Sequence, residues 1–132
     1  MVKKILILKY VDKIQVMYYN NSMKKQFIAE YTLEAEENLK KLDKQNLKRV
    51  FRTVALFEQL GKDGVSSRPL NKEGLFEMKC DKVRIYFMYH KNNIIIVGLV
   101  VLKKTQKAPE RYKTEAMTNI EKYIRSNDYE RT

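Results

Sequence analysis

The residues of this chain best suited to chemistry are charged side chains placed two apart on strand-like segments. Arg84 and Tyr86 are separated by one residue in the run 83–89, so in a β-strand they face the same side. Glu77 and Lys79 have the same spacing in the preceding run, and an antiparallel register would bring the two pairs together. Such a group could hold a nucleic-acid phosphate and stabilise the charge that develops when its ester bond breaks.

A basic turn follows these strands and extends the same surface. Lys103, Lys104 and Lys107 come directly after the apolar run 94–102. Together with Arg84 they predict a cationic groove that could hold an RNA backbone. The alternative is a set of solvated charges with ordinary cross-strand pairing, and spacing alone does not decide between the two. Tyr86 also has two interpretations. It could stack on a base or transfer a proton, or it could only fill the sheet face as a cross-strand partner.

Other kinds of catalytic site find little support in the sequence. His90, the one histidine, falls in the predicted hairpin turn 90–93, away from Lys103. Cys80 occupies an inward-facing strand position and is expected to be a buried thiol. One histidine and one cysteine do not make a standard zinc site. The loop Gly61–Gly64 lacks the Gly-Lys-Ser/Thr ending of a phosphate loop, so we expect neither metal nor nucleotide cofactor.

The totals of the 132-residue chain agree with an anion-binding protein of one main domain. The formal net charge is +11, and residues 62–113 contribute twelve Lys/Arg against five Asp/Glu. A domain this basic attracts polyphosphates with an affinity that falls steeply with salt. The single cysteine fits a reducing cytoplasm, and no apolar stretch reaches the roughly 20 residues of a membrane span.

The pattern of apolar and capping residues predicts the elements that must position these side chains. We expect a strand over 27–31, a helix from Thr32 as N-cap to about Leu42, and a second helix from about Asp43 to Leu60, capped by Gly61. Three strands follow over 75–80, 83–89 and 94–102, and a terminal amphipathic helix begins at Pro109. The order predicts an α+β domain over 23–132, in which an antiparallel sheet carries an N-terminal helical hairpin and a C-terminal helix. Residues 1–22 are predicted to be an N-terminal β extension.

With the elements placed, the order of residues resembles the RelE/HigB superfamily of bacterial and phage toxins, particularly its phage-derived HigB-like branch. The resemblance covers about residues 26–125. The matching segments are Asn38-Leu39-Lys40-Lys41-Leu42-Asp43, the second helix ending in Gly61, Gly74-Leu75-Phe76-Glu77-Met78-Lys79, Val83-Arg84-Ile85-Tyr86-Phe87 and Lys103-Lys104-Thr105-Gln106-Lys107-Ala108-Pro109.

The resemblance implies a RelE/ParE-like fold and the toxin of a type II toxin–antitoxin system. Members of this family are typically metal-independent, ribosome-dependent mRNA endonucleases, in which the 2′-hydroxyl of the RNA is the nucleophile. A cognate antitoxin, often a helix-turn-helix protein, is the implied partner beside mRNA on the ribosome. Two alternatives stay open: a catalytically weak or inactive RNA- or DNA-binding relative, and a gyrase-inhibiting toxin like those of the ParE branch.

Carried over by position, the resemblance also assigns roles to residues. Arg84 would contact the scissile phosphate with help from Lys79, Lys103 and Lys104 would hold RNA or act in acid/base work, and Tyr86 would be an aromatic helper. Further RNA contacts are assigned to Lys72, Lys82, Lys107 and Arg111. Lys79 stands where the family commonly has arginine, and 99–101 replace a stretch in which many relatives have histidine.

Overall fold

The computed structural model describes residues 25–103 and 109–131, with side chains as far as Asn127. The predicted extension over 1–22 lies outside the described residues, as do Lys104 and Lys107.

Five strands and three α-helices make up the described chain. In order they are β1 (Ile28–Tyr31), α1 (Leu33–Lys40), α2 (Lys44–Leu60), a 3-10 turn (Gly61–Asp63), β2 (Ser67–Pro69), β3 (Leu75–Cys80), β4 (Val83–His90), β5 (Ile94–Leu102) and α3 (Glu110–Arg131). The predicted α+β class is confirmed, with the helical hairpin before the main strands and one helix after them. Strand β2 was not predicted, because three residues are too few to show an alternating pattern.

The ends of the helical hairpin follow from local hydrogen bonding. Thr32 Oγ1 accepts the backbone N–H of Ala35 at 3.1 Å, and Asp43 Oδ1 accepts that of Asn46 at 2.7 Å. Both side chains therefore act as N-caps, and that of Thr32 was predicted. Gly61 ends α2 at φ 61°, a backbone conformation that favours glycine.

The sheet has the strand order β1-β5-β4-β3-β2. Strands β2 to β5 are antiparallel to their neighbours, whereas β1 runs parallel to β5, a pairing that differs from the all-antiparallel expectation. The parallel pair arises because the helical hairpin crosses over between β1 and the other strands. On the side of β1 that faces away from β5, the buried Glu58 carboxylate of α2 accepts the N–H of Ala29 at 2.8 Å.

Each face of the sheet is covered by helices, and each carries its own apolar core. The hairpin face packs against α1 and α2, and its buried strand residues include Met78, Ile85, Phe87, Ile95 and Val97. The opposite face, called the α3 face below, packs against the terminal helix and includes Leu75, Tyr86, Ile96, Leu99 and the helical residues Ala116 and Ile120. Burial on both sides explains why β5 is apolar along its whole length.

A bulge at Gly98 changes which residues of β5 face which core. Tyr86 pairs with Leu99 and Phe87 pairs with Val97, so Gly98 has no partner on β4. Before the bulge, odd-numbered residues of β5 face the hairpin core, and after it they face α3. The carbonyl of Gly98 accepts the side-chain amide of Asn119 at 2.9 Å, which ties α3 to the bulge.

Candidate functional site

Lys79, Arg84 and Lys103, called the basic cluster below, meet at one end of the α3 face. Lys79 and Arg84 are directly paired across β3 and β4, a register that agrees with the expectation that the two strands would bring these side chains together. The backbone N–H of Lys103 donates to Lys82 O at 2.7 Å, which continues the β4–β5 ladder by one step. Because the bulge turns odd-numbered positions toward α3, the alternation brings position 103 to the same face as Arg84. The cluster therefore depends on Gly98 as well as on its three cations.

The guanidinium of Arg84 is fixed beside the tight turn between β3 and β4. Its Nη1 donates to Val83 O at 3.1 Å and to Asp81 O. Asp81 adopts φ 56°, and Arg49 of α2 holds its carboxylate at 3.0 Å. Arg84 Nε is buried and has no hydrogen-bond partner among the described residues. This arginine is half-buried and already oriented, which lowers the ordering cost of binding an anion.

A second row of polar side chains, called the polar row, lies next to the basic cluster on the α3 face. It runs from Arg68 on β2 through Glu77 on β3 to Tyr86 on β4, each directly paired with the next. Arg68 Nε donates to Glu77 Oε1 at 3.0 Å. The Glu77 side chain is completely buried, and its Oε2 has no hydrogen-bond partner within the described ranges.

Tyr86 fills the sheet face beneath α3 in this structure. It is 1% exposed, and its ring meets that of Tyr112 edge-on at a centroid distance of 6.4 Å. Burial, followed by the nearby charge of Glu77, raises the pKa of Tyr86 to about 12. The ring is therefore not accessible for stacking on a base, and at neutral pH the hydroxyl stays protonated. The packing interpretation of this residue fits the structure better than the catalytic one.

The other predicted site residues lie at varying distances from the basic cluster. Lys82 is exposed in the β3–β4 turn, directly beside it. Arg111, in the first turn of α3, places its guanidinium carbon 5.0 Å from the centroid of the Tyr112 ring, and so it lies near the polar row. Lys72 lies in the turn between β2 and β3, at the other end of those strands. The structure does not bring Lys72 together with Arg84.

Two residues that were expected to have no catalytic role are placed accordingly. His90 ends β4 at the hairpin turn, opposite to the end that holds Arg84. Cys80 is buried on the hairpin face and its Sγ accepts Thr53 Oγ1 at 3.2 Å. Burial raises the pKa of this thiol, so it is a poor nucleophile at neutral pH.

The sequence did not indicate the Arg68–Glu77 ion pair. Its two members are nine residues apart on strands of which one was not predicted, so no spacing rule connects them. The signal that was present is that Glu77 shares a strand face with the apolar Leu75, and a carboxylate buried on such a face needs a cationic or hydrogen-bonding partner.

Within residues 25–103 and 109–131, no cluster of His, Cys, Asp and Glu side chains is suited to hold a metal ion. Over the same ranges, none of the helices has the length and apolar character needed to cross a membrane.

Comparison with known proteins gives one family and a distant structural similarity. Residues 37–121 match the model of the family described as phage derived protein Gp49-like (DUF891). Among solved structures, a chain of the toxin–antitoxin complex RelBE2 from Mycobacterium tuberculosis is similar over 59% of this chain and 99% of its own, with 18% identity and a TM-score of 0.46. No curated protein matches the chain significantly.

Proposed function

Because the chain belongs to the phage-derived Gp49-like family, we propose that it is the toxin of a type II toxin–antitoxin system and that it cleaves mRNA on the ribosome. The observation that carries this proposal is the basic cluster, in which Lys79 and Arg84 are paired across two strands and Lys103 follows on the same face. The resemblance of the surrounding segments to RelE/HigB toxins supplies the reaction.

The proposed reaction needs charge stabilisation more than a protein nucleophile. The 2′-oxygen of the RNA bonds to the adjacent phosphorus while the bond from phosphorus to the 5′-oxygen breaks, and one proton moves from the first oxygen to the second. Arg84 and Lys79 neutralise the charge that grows on the phosphoryl oxygens. Lys103, at the end of β5, holds the neighbouring backbone, and Lys104 is proposed for the same role or for proton transfer.

A second candidate is an RNA-binding relative without strong catalysis, and the state of Tyr86 favours it. A tyrosine with a pKa of about 12 exchanges protons poorly at neutral pH, and His90 lies at the far end of β4. The described part of the cluster therefore offers cations for binding, with neither Tyr86 nor His90 placed to transfer a proton. In this case the purified protein would bind RNA with strong salt dependence and form no product.

The proposed partner is an antitoxin that covers the basic cluster. Residues 62–113 carry a net positive charge, so we propose an acidic or helical segment that lies across the α3 face at the end of β3 and β4. Many such partners are helix-turn-helix proteins, which makes the product of the neighbouring gene the first to test.

Expression in bacteria separates the candidates. We expect growth arrest with mRNA cleaved within translated regions, relieved by Arg84→Ala or by co-expression of the neighbouring gene. Arg125→Ala is the matched control, because it removes one cation from the exposed surface of α3. Growth arrest with gyrase-dependent DNA damage and intact mRNA would identify a ParE-like toxin instead, and unimpaired growth would contradict both toxin assignments.

A further inference from the structure

Arg68 has two properties that suit a residue for binding phosphate: its guanidinium is held in place, and it is partly exposed. Its Nε is held at 3.0 Å by the buried carboxylate of Glu77, while half of its side chain stays exposed. Among the described residues, its guanidinium has no other hydrogen-bond or ion-pair partner. The two terminal nitrogens are therefore free while the group itself is fixed.

Glu77 is an unusual residue to find completely buried, and its partner explains why it is tolerated. A buried carboxylate is costly unless it is paired and hydrogen-bonded. One oxygen binds Arg68, and the other is left without a hydrogen bond in the described part of the structure. Because its charge is buried behind Arg68, the guanidinium is the group presented to solvent. The ion pair with the buried Glu77 therefore fixes the direction in which the exposed guanidinium of Arg68 points.

The polar row has the right position to extend the basic cluster. The Arg68–Glu77 pair lies one repeat along the strands, about 7 Å, from the Lys79–Arg84 pair on the same face, and Arg68 is also two strands, or about 10 Å, across the sheet from Arg84. An extended nucleic-acid strand could place one phosphate at Arg84 and a neighbouring phosphate at Arg68 on the edge strand β2. Arginine suits this contact because its planar fork binds two phosphate oxygens at once.

We propose that Arg68 binds a backbone phosphate next to the cleaved one, and that Glu77 is the positioning residue that holds Arg68 in place. This inference rests on the proposed RNA-cleaving function. It adds a second phosphate contact, on β2, to the one assigned to Arg84 and Lys79.

The test measures binding separately from cleavage. The probe is a translating ribosome whose mRNA carries 2′-O-methyl groups in the codon to be cut, so that the complex forms and no product is made. We expect Arg68→Ala to weaken binding about ten- to hundredfold and to lower the slope of log affinity against log salt by about 0.7. Arg125→Ala, the matched control, should change the affinity much less, because it lies on the second half of α3 near β1.

A conservative variant tests the fork. Arg68→Lys keeps the charge, but its ammonium is a point charge without the rigid planar fork that binds Glu77 on one edge and two phosphate oxygens on another. We expect it to recover less than half of the affinity that Arg68→Ala loses, on a logarithmic scale. Full recovery of the affinity by Arg68→Lys would show that only the charge at position 68 matters. It would contradict a guanidinium that is positioned to bind two phosphate oxygens.

The role of Glu77 is tested with Glu77→Gln, which keeps the shape of the side chain. Charge alone predicts tighter RNA binding, since the variant gains one net positive charge. Positioning predicts weaker binding, and no further loss in the Arg68→Ala background. Tighter or unchanged binding by the single variant would contradict the positioning role, whatever its thermal stability.

Different results would contradict the Arg68 phosphate contact and the proposed function. If the wild-type protein binds and cleaves while Arg68→Ala matches Arg125→Ala, the phosphate contact is wrong and the proposed function stands. If the wild-type protein neither binds the blocked complex nor cleaves unmodified mRNA, the proposed function fails and this inference fails with it.

Discussion

At the scale of single residues, the structure separates side chains that the sequence could only group together. Alternation correctly indicated that the pairs Glu77/Lys79 and Arg84/Tyr86 could come together, but the register that pairs Lys79 with Arg84 is known only from the structure. Alternation could not show that Tyr86 lies beneath α3, because burial depends on a helix that begins more than twenty residues later. The sequence did not point to Arg68 for a similar reason, because its ion-pair partner Glu77 lies on the neighbouring strand.

The ionisation of Tyr86 gives a prediction about stability at high pH. An unfolded tyrosine titrates near pH 10, whereas burial raises the pKa of Tyr86 to about 12 in the folded chain. The folded state retains this proton longer, so its stability is intact below about pH 10 and falls as the pH rises toward 12. Tyr86→Phe should flatten part of that fall. Tyr31, Tyr89 and Cys80, whose pKa values burial also raises, contribute to the fall in the same direction.

Urea unfolding of the wild type and Tyr86→Phe at neutral and alkaline pH is the measurement. At neutral pH the variant should cleave RNA within about threefold of the wild type, since a buried ring contributes packing. A large loss of cleavage in a protein of normal stability would restore the catalytic interpretation of this residue.

At the scale of elements, the bulge in β5 does the most to build the site. The uninterrupted apolar run 94–102 predicted a strand buried on both faces, and that prediction is confirmed. The same absence of alternation hid the change of face at Gly98, so the sequence could not show which way Lys103 would lie. Capping residues such as Thr32 and Gly61, by contrast, act through bonds within a few residues and were predicted correctly.

Gly98 should tolerate no side chain, since α3 lies against it. A Cβ atom at this position would stand 2.7 Å from the backbone oxygen of Ala116 and 2.6 Å from Ile120 Cγ1. We expect Gly98→Ala to lower the free energy of unfolding by about 1–3 kcal/mol, measured by urea denaturation. Thr118→Ala, on the exposed side of the same helix, is the control and should be nearly neutral. Equal stability of the two variants would contradict the close contact of bulge and helix.

At the scale of the whole molecule, the charge distribution favours an acidic partner. The formal net charge of +11 is concentrated in the half of the chain that includes β3 to β5. Exposed charges of this kind steer association and are screened by salt. In the proposed function both RNA and an antitoxin contact the basic cluster, so we expect the two ligands to compete.

Competition between these ligands can be measured directly. The antitoxin should displace the protein from ribosomes blocked with 2′-O-methyl mRNA, and its own affinity should fall as salt rises. Arg84→Ala should weaken both interactions, while Arg125→Ala should leave both nearly unchanged. A ternary complex of ribosome, toxin and antitoxin, with no displacement at saturation, would show that the antitoxin binds elsewhere.

The central claim is that Arg84 stabilises the charge on the phosphate being cleaved, and mRNA cleavage by purified protein on translating ribosomes tests it most directly. We predict metal-independent cleavage by the wild type and a rate lower by about 100- to 1000-fold for Arg84→Ala, equivalent to the loss of one well-placed donor in the transition state. Arg84→Lys should regain only part of that rate, because it lacks the fork, and Arg125→Ala should cleave like the wild type. Equal rates for the wild type and Arg84→Ala, in proteins of equal stability, would contradict the account.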